Sequence, residues 1–222
     1  MIRIHDGFDL LLGGGLLSRN ITHIYGVPGS GKTNIALMAT VNASKDGNVI
    51  YIDSEGGFSF DRIKQIFGDN AESVLSNVRL IEPSEFEEQK IAIRKLNDLA
   101  RYNTNLIVLD SIGALYRLED KRDSRELGRQ LAQLLRIARR YDVSVLVTNQ
   151  VYTDINTGRI VPVGGDITRY WSKVMIELNR SEDSRIAIVR KHKFLPEGTK
   201  LEFKITDYGI EVVRINLSPV RV

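Results

Sequence analysis

The stretch Gly26-Val27-Pro28-Gly29-Ser30-Gly31-Lys32-Thr33 matches the pattern G-x-x-x-x-G-K-[ST] and lies between a β-branched run and a segment of helical periodicity. Its three glycines let the backbone curl so that N–H groups point at phosphate oxygens, and the start of the next helix adds positive potential. Lys32 is expected to contact the β and γ phosphates, and Thr33 to place its hydroxyl on Mg²⁺. Chance produces such a pattern on the order of once in a hundred chains of this length. We therefore predict a nucleotide site formed by this stretch and Asn34.

Short apolar runs alternate with longer helical segments on both sides of this stretch, which is typical of parallel strands joined by crossover helices. The first two-thirds follows the order βαβαβαβ, and its strands are close to continuously apolar, as expected when both faces of a sheet are covered. The predicted strands are Thr22 to Tyr25, Val49 to Asp53, Leu106 to Asp110 and Val143 to Asn149.

Three helices are predicted between these strands. The first follows Lys32, and the second opens with Ser84 and Glu87 as a capping box. The third, Ser124 to Tyr141, has apolar residues at spacings of four, three and four, which indicates a core-facing stripe: Leu127, Leu131, Leu134 and Ala138.

The chain from Lys173 onward changes to short alternating strands, predicted at 173–178, 185–191, 201–206 and 210–213. They are expected to extend the sheet in antiparallel fashion. The predicted fold class is α/β, with a mainly parallel central sheet flanked by helices and an antiparallel C-terminal extension, in one domain over residues 1–222.

Composition excludes several classes of function. The chain has no cysteine, so disulfides, thiolate zinc sites and a cysteine nucleophile are ruled out. It has neither an apolar run near the 18 or so residues of a membrane span nor a signal segment, so we expect a cytoplasmic protein without a membrane partner. The net charge is +3, yet residues 117–140 alone carry eight basic and four acidic side chains, or net +4. This local cluster permits nucleic-acid binding, and a solvated helix entrance is the alternative.

Polar side chains at the ends of three apolar strands fit the chemistry of hydrolysis. Asp110 ends the run Leu106-Ile107-Val108-Leu109 and is predicted to hold Mg²⁺ together with Thr33. Glu55 follows the second strand, where a carboxylate could orient and deprotonate a water. Gln150 ends the fourth strand and could contact the γ-phosphate that this water attacks. No Asn-Lys-x-Asp stretch is present to bind guanine, so adenine, and hence ATP, is the expected ligand.

These residues together resemble the RecA/RadA recombinase family, and within it the archaeal RadB group. The resemblance covers nearly the whole chain and rests on the phosphate loop and on Leu11-Leu12-Gly13-Gly14-Gly15, Ile52-Asp53-Ser54-Glu55-Gly56, Leu109-Asp110-Ser111, Thr148-Asn149-Gln150, Val163-Gly164-Gly165-Asp166 and Leu195-Pro196-Glu197-Gly198. It implies a RecA-like P-loop ATPase core in which Glu55 is the catalytic base and Arg62 stacks on adenine.

The same resemblance implies two loops that face DNA, at 117–125 and 151–166. Their candidate DNA-binding residues are Arg117, Lys121, Arg122, Arg125, Tyr152 and Arg159. The Gly-Arg-Gly of the family's first loop is replaced here by Lys121-Arg122-Asp123-Ser124-Arg125. DNA binding can persist in a protein that has lost strand-exchange activity, because contacts with DNA phosphates require only suitably positioned cationic side chains.

The stretch before the Leu195-Pro196 turn carries a further expectation. In RadA-like proteins it caps the ATP of a neighbouring subunit and carries an acidic residue, whose position Lys191 occupies here. Lys191 and Lys193 are therefore expected to reach the γ-phosphate of a neighbouring copy, with Pro196 against the nucleotide. A solvated basic strand end is the alternative.

The expected function is an accessory role in homologous recombination and repair, with ATP and Mg²⁺ binding, weak ATPase activity and binding of single-stranded and also double-stranded DNA. The resemblance suggests a RadA-type recombinase and a Holliday-junction nuclease as partners, and a homo-oligomer. The alternative is a KaiC-like or helicase-like regulatory ATPase that acts through protein assembly without touching DNA. A small-molecule kinase is disfavoured by Glu55 and Gln150.

Overall fold

A computed structural model describes residues 1–68, 71–101, 103–155, 158 and 160–216. The helices are α1 (Asp6–Leu11), α2 (Lys32–Ser44), α3 (Phe60–Phe67), α4 (Ala71–Leu75), α5 (Phe86–Leu99), α6 (Ser124–Tyr141) and α7 (Gly165–Trp171), and a 3₁₀ turn spans Leu115–Leu118. The strands are β1 (Ile21–Gly26), β2 (Asn48–Asp53), β3 (Val78–Ile81), β4 (Thr104–Asp110), β5 (Ser144–Asn149), β6 (Val151–Thr153), β7 (Ile160–Pro162), β8 (Val174–Arg180), β9 (Arg185–Lys191), β10 (Lys200–Thr206) and β11 (Gly209–Asn216).

A nine-stranded sheet in the order β11-β10-β9-β8-β1-β5-β4-β2-β3 organises the fold, and β6 and β7 form a separate hairpin. The expectation that the extension is antiparallel from its first strand is wrong, because β8 pairs with β1 in parallel and the antiparallel part begins at β9. The predicted fold class, a mainly parallel sheet with an antiparallel C-terminal extension, is confirmed.

Apolar side chains on the two faces of the sheet form two clusters. One lies beneath α1 and α2 and includes Phe8, Ile35 and Phe203. The other lies beneath α5 and α6. The stripe predicted for α6 is confirmed, because all four of its residues are fully buried: Leu127, Leu131, Leu134 and Ala138.

The N-terminus of α6 agrees with the sequence prediction, whereas that of α5 does not. Helix α6 begins at Ser124 as predicted, and the side chain of Asp123 accepts a hydrogen bond from the Arg125 backbone N–H. The capping box predicted for α5 is wrong: Ser84 donates from its backbone and its hydroxyl to Glu88, not Glu87. Helix α5 begins two residues after Ser84, so a carboxylate one position further on reaches it.

The parallel strands bring their carboxyl ends to one edge of the sheet. Asp53 at the end of β2 pairs with Asp110 at the end of β4, and Tyr25 near the end of β1 pairs with Asn149 at the end of β5. The segments that leave these strands carry the phosphate loop, Glu55 and Gln150. Among the helices described, none has the length and apolar character needed to cross a membrane.

Candidate functional site at the carboxyl edge of the sheet

The phosphate loop after β1 has a backbone that only glycine allows at several positions. Gly29 and Gly31 have φ of 71° and 101°, in the left-handed region that side chains disfavour. A Cβ at Gly26 would lie 2.2 Å from the carbonyl oxygen of Leu178 on β8. The loop therefore depends on its glycines both for its curl and for its close approach to the sheet.

Lys32 opens α2 and lies over this loop. Its Nζ donates to the carbonyl oxygens of Gly26 and Val27, at 3.0 and 3.2 Å, and only 8% of the residue is exposed. Burial lowers the pKa of Lys32, and the carboxylates of Glu55 and Asp110 oppose that shift. An ammonium group at the start of a helix, held by the carbonyl oxygens of a glycine-rich loop, favours an anionic ligand.

Asp110 is the buried carboxylate of the site, with 1% exposure. Tyr51 donates its hydroxyl to Oδ2 at 2.8 Å, and Thr148 donates to Oδ1. Burial raises the pKa of Asp110, while hydrogen bonds from Thr148, Tyr51 and Thr33 act in the opposite direction. The predicted pair of metal ligands, Asp110 and Thr33, thus lies close together, at the end of β4 and the start of α2.

Glu55 lies between two donors from neighbouring strand ends. The Ser111 hydroxyl and the Gln150 amide both donate to Glu55 Oε1, the latter at 3.1 Å. Gln150 in turn accepts a hydrogen bond from Arg117 Nη1 at 2.5 Å. The structure thus brings the predicted Glu55 and Gln150 together, and Lys32 lines the same cleft as both.

Asp53 was not among the predicted site residues, yet it builds the turn that presents Glu55. Its carboxylate, in a residue only 2% exposed, accepts hydrogen bonds from the backbone N–H groups of Glu55, Gly57 and Phe58 at 3.1, 3.2 and 2.7 Å. An Asp followed by Ser-Glu-Gly-Gly at the end of an apolar strand is a sequence signal for such a turn.

The antiparallel part of the sheet closes one side of the cleft. Arg185 at the start of β9 donates from Nε to the carbonyl oxygen of Gly29 at 3.4 Å, and Ile205 on β10 lies 2.9 Å from the position of a Cβ on Gly31. Both line the cleft with Pro28, Asn34 and Glu55. Sequence reasoning missed them because their strands are far from the phosphate loop in the chain.

Arg62, predicted to stack on adenine, contacts Asn34, which lines the cleft. Its Nε donates to Asn34 Oδ1 at 2.8 Å, and Nη2 donates to the carbonyl oxygen of Thr206 at 2.7 Å. The guanidinium plane is therefore fixed next to the start of α2, beside the cleft.

The structure places Lys191 and Lys193 away from this cleft. Strand β9 begins at Arg185, beside the phosphate loop, and ends at Lys191, about 20 Å further along at the usual rise per residue. Lys191 Nζ donates to the carbonyl oxygen of Arg169 at 2.6 Å, while Lys193 is exposed. These lysines and Pro196 therefore do not reach the cleft of their own chain.

Most of the predicted DNA-binding residues are exposed. Lys121, Arg122 and Arg125 lie in or next to the connection between the 3₁₀ turn and α6, and Tyr152 on β6 is 48% exposed. Arg117 is exposed as well, and its guanidinium also donates a hydrogen bond to Gln150. Arg159, also predicted to bind DNA, lies outside the described residues.

Comparison with known proteins identifies the family. The Rad51 family model matches residues 2–213. The DNA repair and recombination protein RadB of Methanosphaera stadtmanae is 41% identical over 220 residues, covering 95% of each chain, and that of Methanobrevibacter smithii is 43% identical over 225 residues, covering 94% of each. A crystal structure of the RadB recombinase superposes with a TM-score of 0.86 at 38% identity, covering 96% of this chain and 100% of the other. The chain belongs to the Rad51 family, within its RadB group of DNA repair and recombination proteins.

Proposed function

We propose that the chain binds ATP and Mg²⁺ at the carboxyl edge of the sheet, hydrolyses ATP slowly, and binds DNA as an accessory protein of recombination. The observation that carries this proposal is the meeting of Lys32, Asp110 and Glu55 around a loop whose Gly26 leaves no room for a Cβ. A cation, a buried acid and a potential base around curled backbone suit phosphoryl transfer to water.

The residues present fit a triphosphate with its metal ion. The N–H groups of the phosphate loop and the ammonium group of Lys32 would bind phosphate oxygens, while Arg62 and Asn34 lie where a base could pack. Thr33 and Asp110 would hold Mg²⁺, which when bound neutralises charge on the phosphates. The Lys32 ammonium would exchange its two backbone carbonyl partners for phosphate oxygens, which are stronger acceptors.

Glu55 is the residue we assign as general base. The Ser111 and Gln150 contacts both use its Oε1, and we assign Oε2 as the atom that would accept the proton of an attacking water. Asp53 fixes the turn that holds this carboxylate, so its contribution is positioning. Gln150 is assigned a contact with the γ-phosphate of ATP.

DNA binding is assigned to the exposed cations of residues 117–125 and to Tyr152. Single-stranded DNA is the expected ligand, double-stranded DNA a further one, and a RadA-type recombinase and a Holliday-junction nuclease are proposed partners in the cytoplasm. The names of the RadB relatives, as DNA repair and recombination proteins, support this assignment. If no DNA binding occurs even at low salt, the activity is that of a KaiC-like or helicase-like regulator instead.

Two variants test the nucleotide site. Lys32→Ala should abolish ATP binding or hydrolysis, whereas Glu55→Gln should bind ATP and Mg²⁺ normally and lose most turnover, about a hundredfold or more, because an amide cannot accept the proton. Calorimetry measures binding and phosphate release measures turnover, with Lys95→Ala on the exposed face of α5 as the control. Full hydrolysis by Lys32→Ala would refute the assignment. Equal loss of binding and turnover in Glu55→Gln would make Glu55 a structural residue.

Lys191 and Lys193 are proposed to act on the ATP of a second copy. Their distance from their own cleft supports a role in trans within a homo-oligomer, with Pro196 against the neighbour's nucleotide. Mixing Lys191→Ala/Lys193→Ala protein with Lys32→Ala protein should restore part of the activity, because one interface then pairs an intact phosphate loop with intact lysines. No recovery in oligomers shown to be mixed would exclude the trans role.

A further inference from the structure

Two arginines of the β8–β9 hairpin lie beside the phosphate loop. Arg180 ends β8 and Arg185 begins β9, and the two residues are directly opposite each other in the antiparallel pair. Arg185 Nε donates to the carbonyl oxygen of Gly29 at 3.4 Å, and Arg180 Nη1 lies 3.3 Å from the position of a Cβ on Gly29. Two guanidinium groups therefore converge on one residue of the proposed phosphate-binding loop.

This arrangement places like charges where a β-sheet normally avoids them. Directly opposite residues share one face of the sheet, and like charges in such a pair are destabilising. Arg190, further along β9, is balanced by Glu177 on β8 at 2.9 Å. Within the part of the chain that the structure describes, no carboxylate forms an ion pair with Arg180 or Arg185. An anion bound beside the two arginines would relieve their repulsion.

The acidic residues around this hairpin do not supply the missing partner. Glu182 and Asp183 lie in the turn between the two strands and are exposed. Glu202 on β10 accepts a hydrogen bond from the Ser184 hydroxyl at 2.7 Å. The positive charge of the pair is therefore not neutralised by these side chains.

The strand order decides which side of the cleft the arginines occupy. In the sheet, β8 and β9 lie on one side of β1, whereas the strands that lead to Gln150, Asp110 and Glu55 lie on the other. Arg185 lines the same cleft as Glu55 and Gln150. A triphosphate on the phosphate loop would therefore have the carboxylates on one flank and Arg185 on the other.

Lys32 makes the same type of contact as Arg185. Its Nζ donates to the carbonyl oxygens of Gly26 and Val27 at 3.0 and 3.2 Å. Both cations thus donate to neutral carbonyl groups of one loop, and phosphate oxygens are stronger acceptors for a charged donor. A guanidinium can also bind two phosphate oxygens at once. An anionic ligand is therefore expected to draw Arg185 from Gly29 to its phosphate oxygens.

We propose that Arg185 is a nucleotide-binding residue that acts within its own chain and contacts the γ-phosphate of ATP. Its contact with the loop is at Gly29, whereas the base is proposed to pack beside Asn34, beyond the end of the loop. The water that attacks the γ-phosphate is assigned to Glu55, which lines the cleft together with Arg185. Arg180 adds positive charge from a more exposed position. The inference rests on the proposed ATP site.

Calorimetry with MgATP and MgADP tests this contact. Arg185→Ala should raise the Kd for MgATP about ten- to a hundredfold, the range expected for loss of a charged hydrogen-bond donor. The Kd for MgADP should rise about threefold or less, because the γ-phosphate is absent. Arg180→Ala should weaken MgATP binding only about two- to threefold, since this group is exposed. Lys204→Ala removes an exposed lysine of β10 that alternates with the cleft residue Ile205, and as the control it should bind both nucleotides like the unaltered chain.

Stability without nucleotide separates a binding role from a structural one. Arg185→Ala removes one of two opposed like charges, so its nucleotide-free Tm should equal or exceed that of the unaltered chain. Its stabilisation by a fixed concentration of MgATP should be smaller. A lower nucleotide-free Tm, or equal losses of MgATP and MgADP affinity, would overturn the inference and make Arg185 a structural support of the phosphate loop.

Single-stranded DNA binding of the same variants provides a further check. If Arg185→Ala binds MgATP like the unaltered chain but binds DNA more weakly, Arg185 is a DNA contact, and the inference fails while the proposed ATP site stands. The proposed function fails separately, and the inference with it, if the unaltered chain binds MgATP no more tightly than Lys32→Ala.

Discussion

The nucleotide cleft and the basic segment of residues 117–125 present polar side chains in opposite ways. In the cleft, Asp53 and Asp110 are 2% and 1% exposed, and each accepts hydrogen bonds from more than one residue. In the segment, Arg125 pairs with Asp123 only two residues away, with 80% and 39% of the two side chains exposed. The cleft is held by tertiary contacts, whereas the contacts that the segment makes beyond Arg117 are local.

The chemistry proposed for each region explains this difference. Stabilising a transition state requires groups that are fixed before reaction, because reorientation during reaction costs free energy. Binding a phosphate backbone requires cations that release counterions, and their placement can adapt to the strand. The cleft should therefore be sensitive to conservative changes that the segment tolerates.

The sharpest test compares two aspartates that both accept backbone N–H groups, Asp53 in the cleft and Asp123 at the start of α6. Asp53→Ala should lower the free energy of unfolding by about 3 kcal/mol, since three N–H groups lose a charged acceptor, and should reduce turnover about a hundredfold because Glu55 is misplaced. Asp123→Ala should lower the free energy of unfolding by only about 1 kcal/mol, the usual cost of losing a helix cap, and should leave turnover unchanged. Urea unfolding and phosphate release provide the measurements, and similar losses in the two variants would erase the proposed contrast.

A smaller effect is expected when the segment loses charge. Replacing Lys121, Arg122 and Arg125 together by Ala should weaken single-stranded DNA binding and reduce the slope of log affinity against log salt by about one unit per lost phosphate contact. Fluorescence anisotropy over a salt series measures the affinity and its slope. The control is Arg136→Ala/Arg139→Ala, which removes two exposed arginines of α6. Unchanged affinity and slope would assign the segment to solvent or to a protein partner.

The smallest expected effect is a change in stability that results from the burial of the Asp110 carboxylate. Because burial raises the pKa of Asp110, this group favours the folded state below its unfolded pKa, and that contribution is lost as pH rises through the folded pKa. Asp110→Asn should therefore raise the Tm at neutral pH without nucleotide and flatten the pH dependence above the ordinary range of an aspartate.

The same variant should be stabilised less by MgATP, because it lacks the carboxylate proposed to hold Mg²⁺. The unaltered chain should gain about 2.7 kcal/mol of stability at an ATP concentration one hundred times Kd with Mg²⁺, and Asp110→Asn clearly less. Thermal unfolding with and without MgATP measures both changes. A lower Tm for nucleotide-free Asp110→Asn would mean that its hydrogen bonds to Tyr51 and Thr148 outweigh the cost of burying the charge.

Sequence patterns predicted the elements whose signal is local. The phosphate loop, the apolar parallel strands and the α6 stripe were all predictable, because glycine spacing and a 3.6-residue period follow directly from backbone geometry. Strand β3 (Val78–Ile81) was missed because four partly exposed residues give too short a pattern. The error at Ser84 arose because Glu87 and Glu88 both follow at capping distance, and only the position of the helix start selects between them.

The sequence by itself therefore determined the parallel sheet, and with it the edge where Lys32, Glu55, Asp110 and Gln150 had to meet, because parallel strands end on the same side. Only the tertiary structure decided that Arg185 and Ile205 close the cleft, that Arg117 binds Gln150 rather than solvent, and that Lys191 lies at the far end of its strand. Such contacts join side chains from distant parts of the chain. They depend on strand order and loop conformation, which no local pattern encodes.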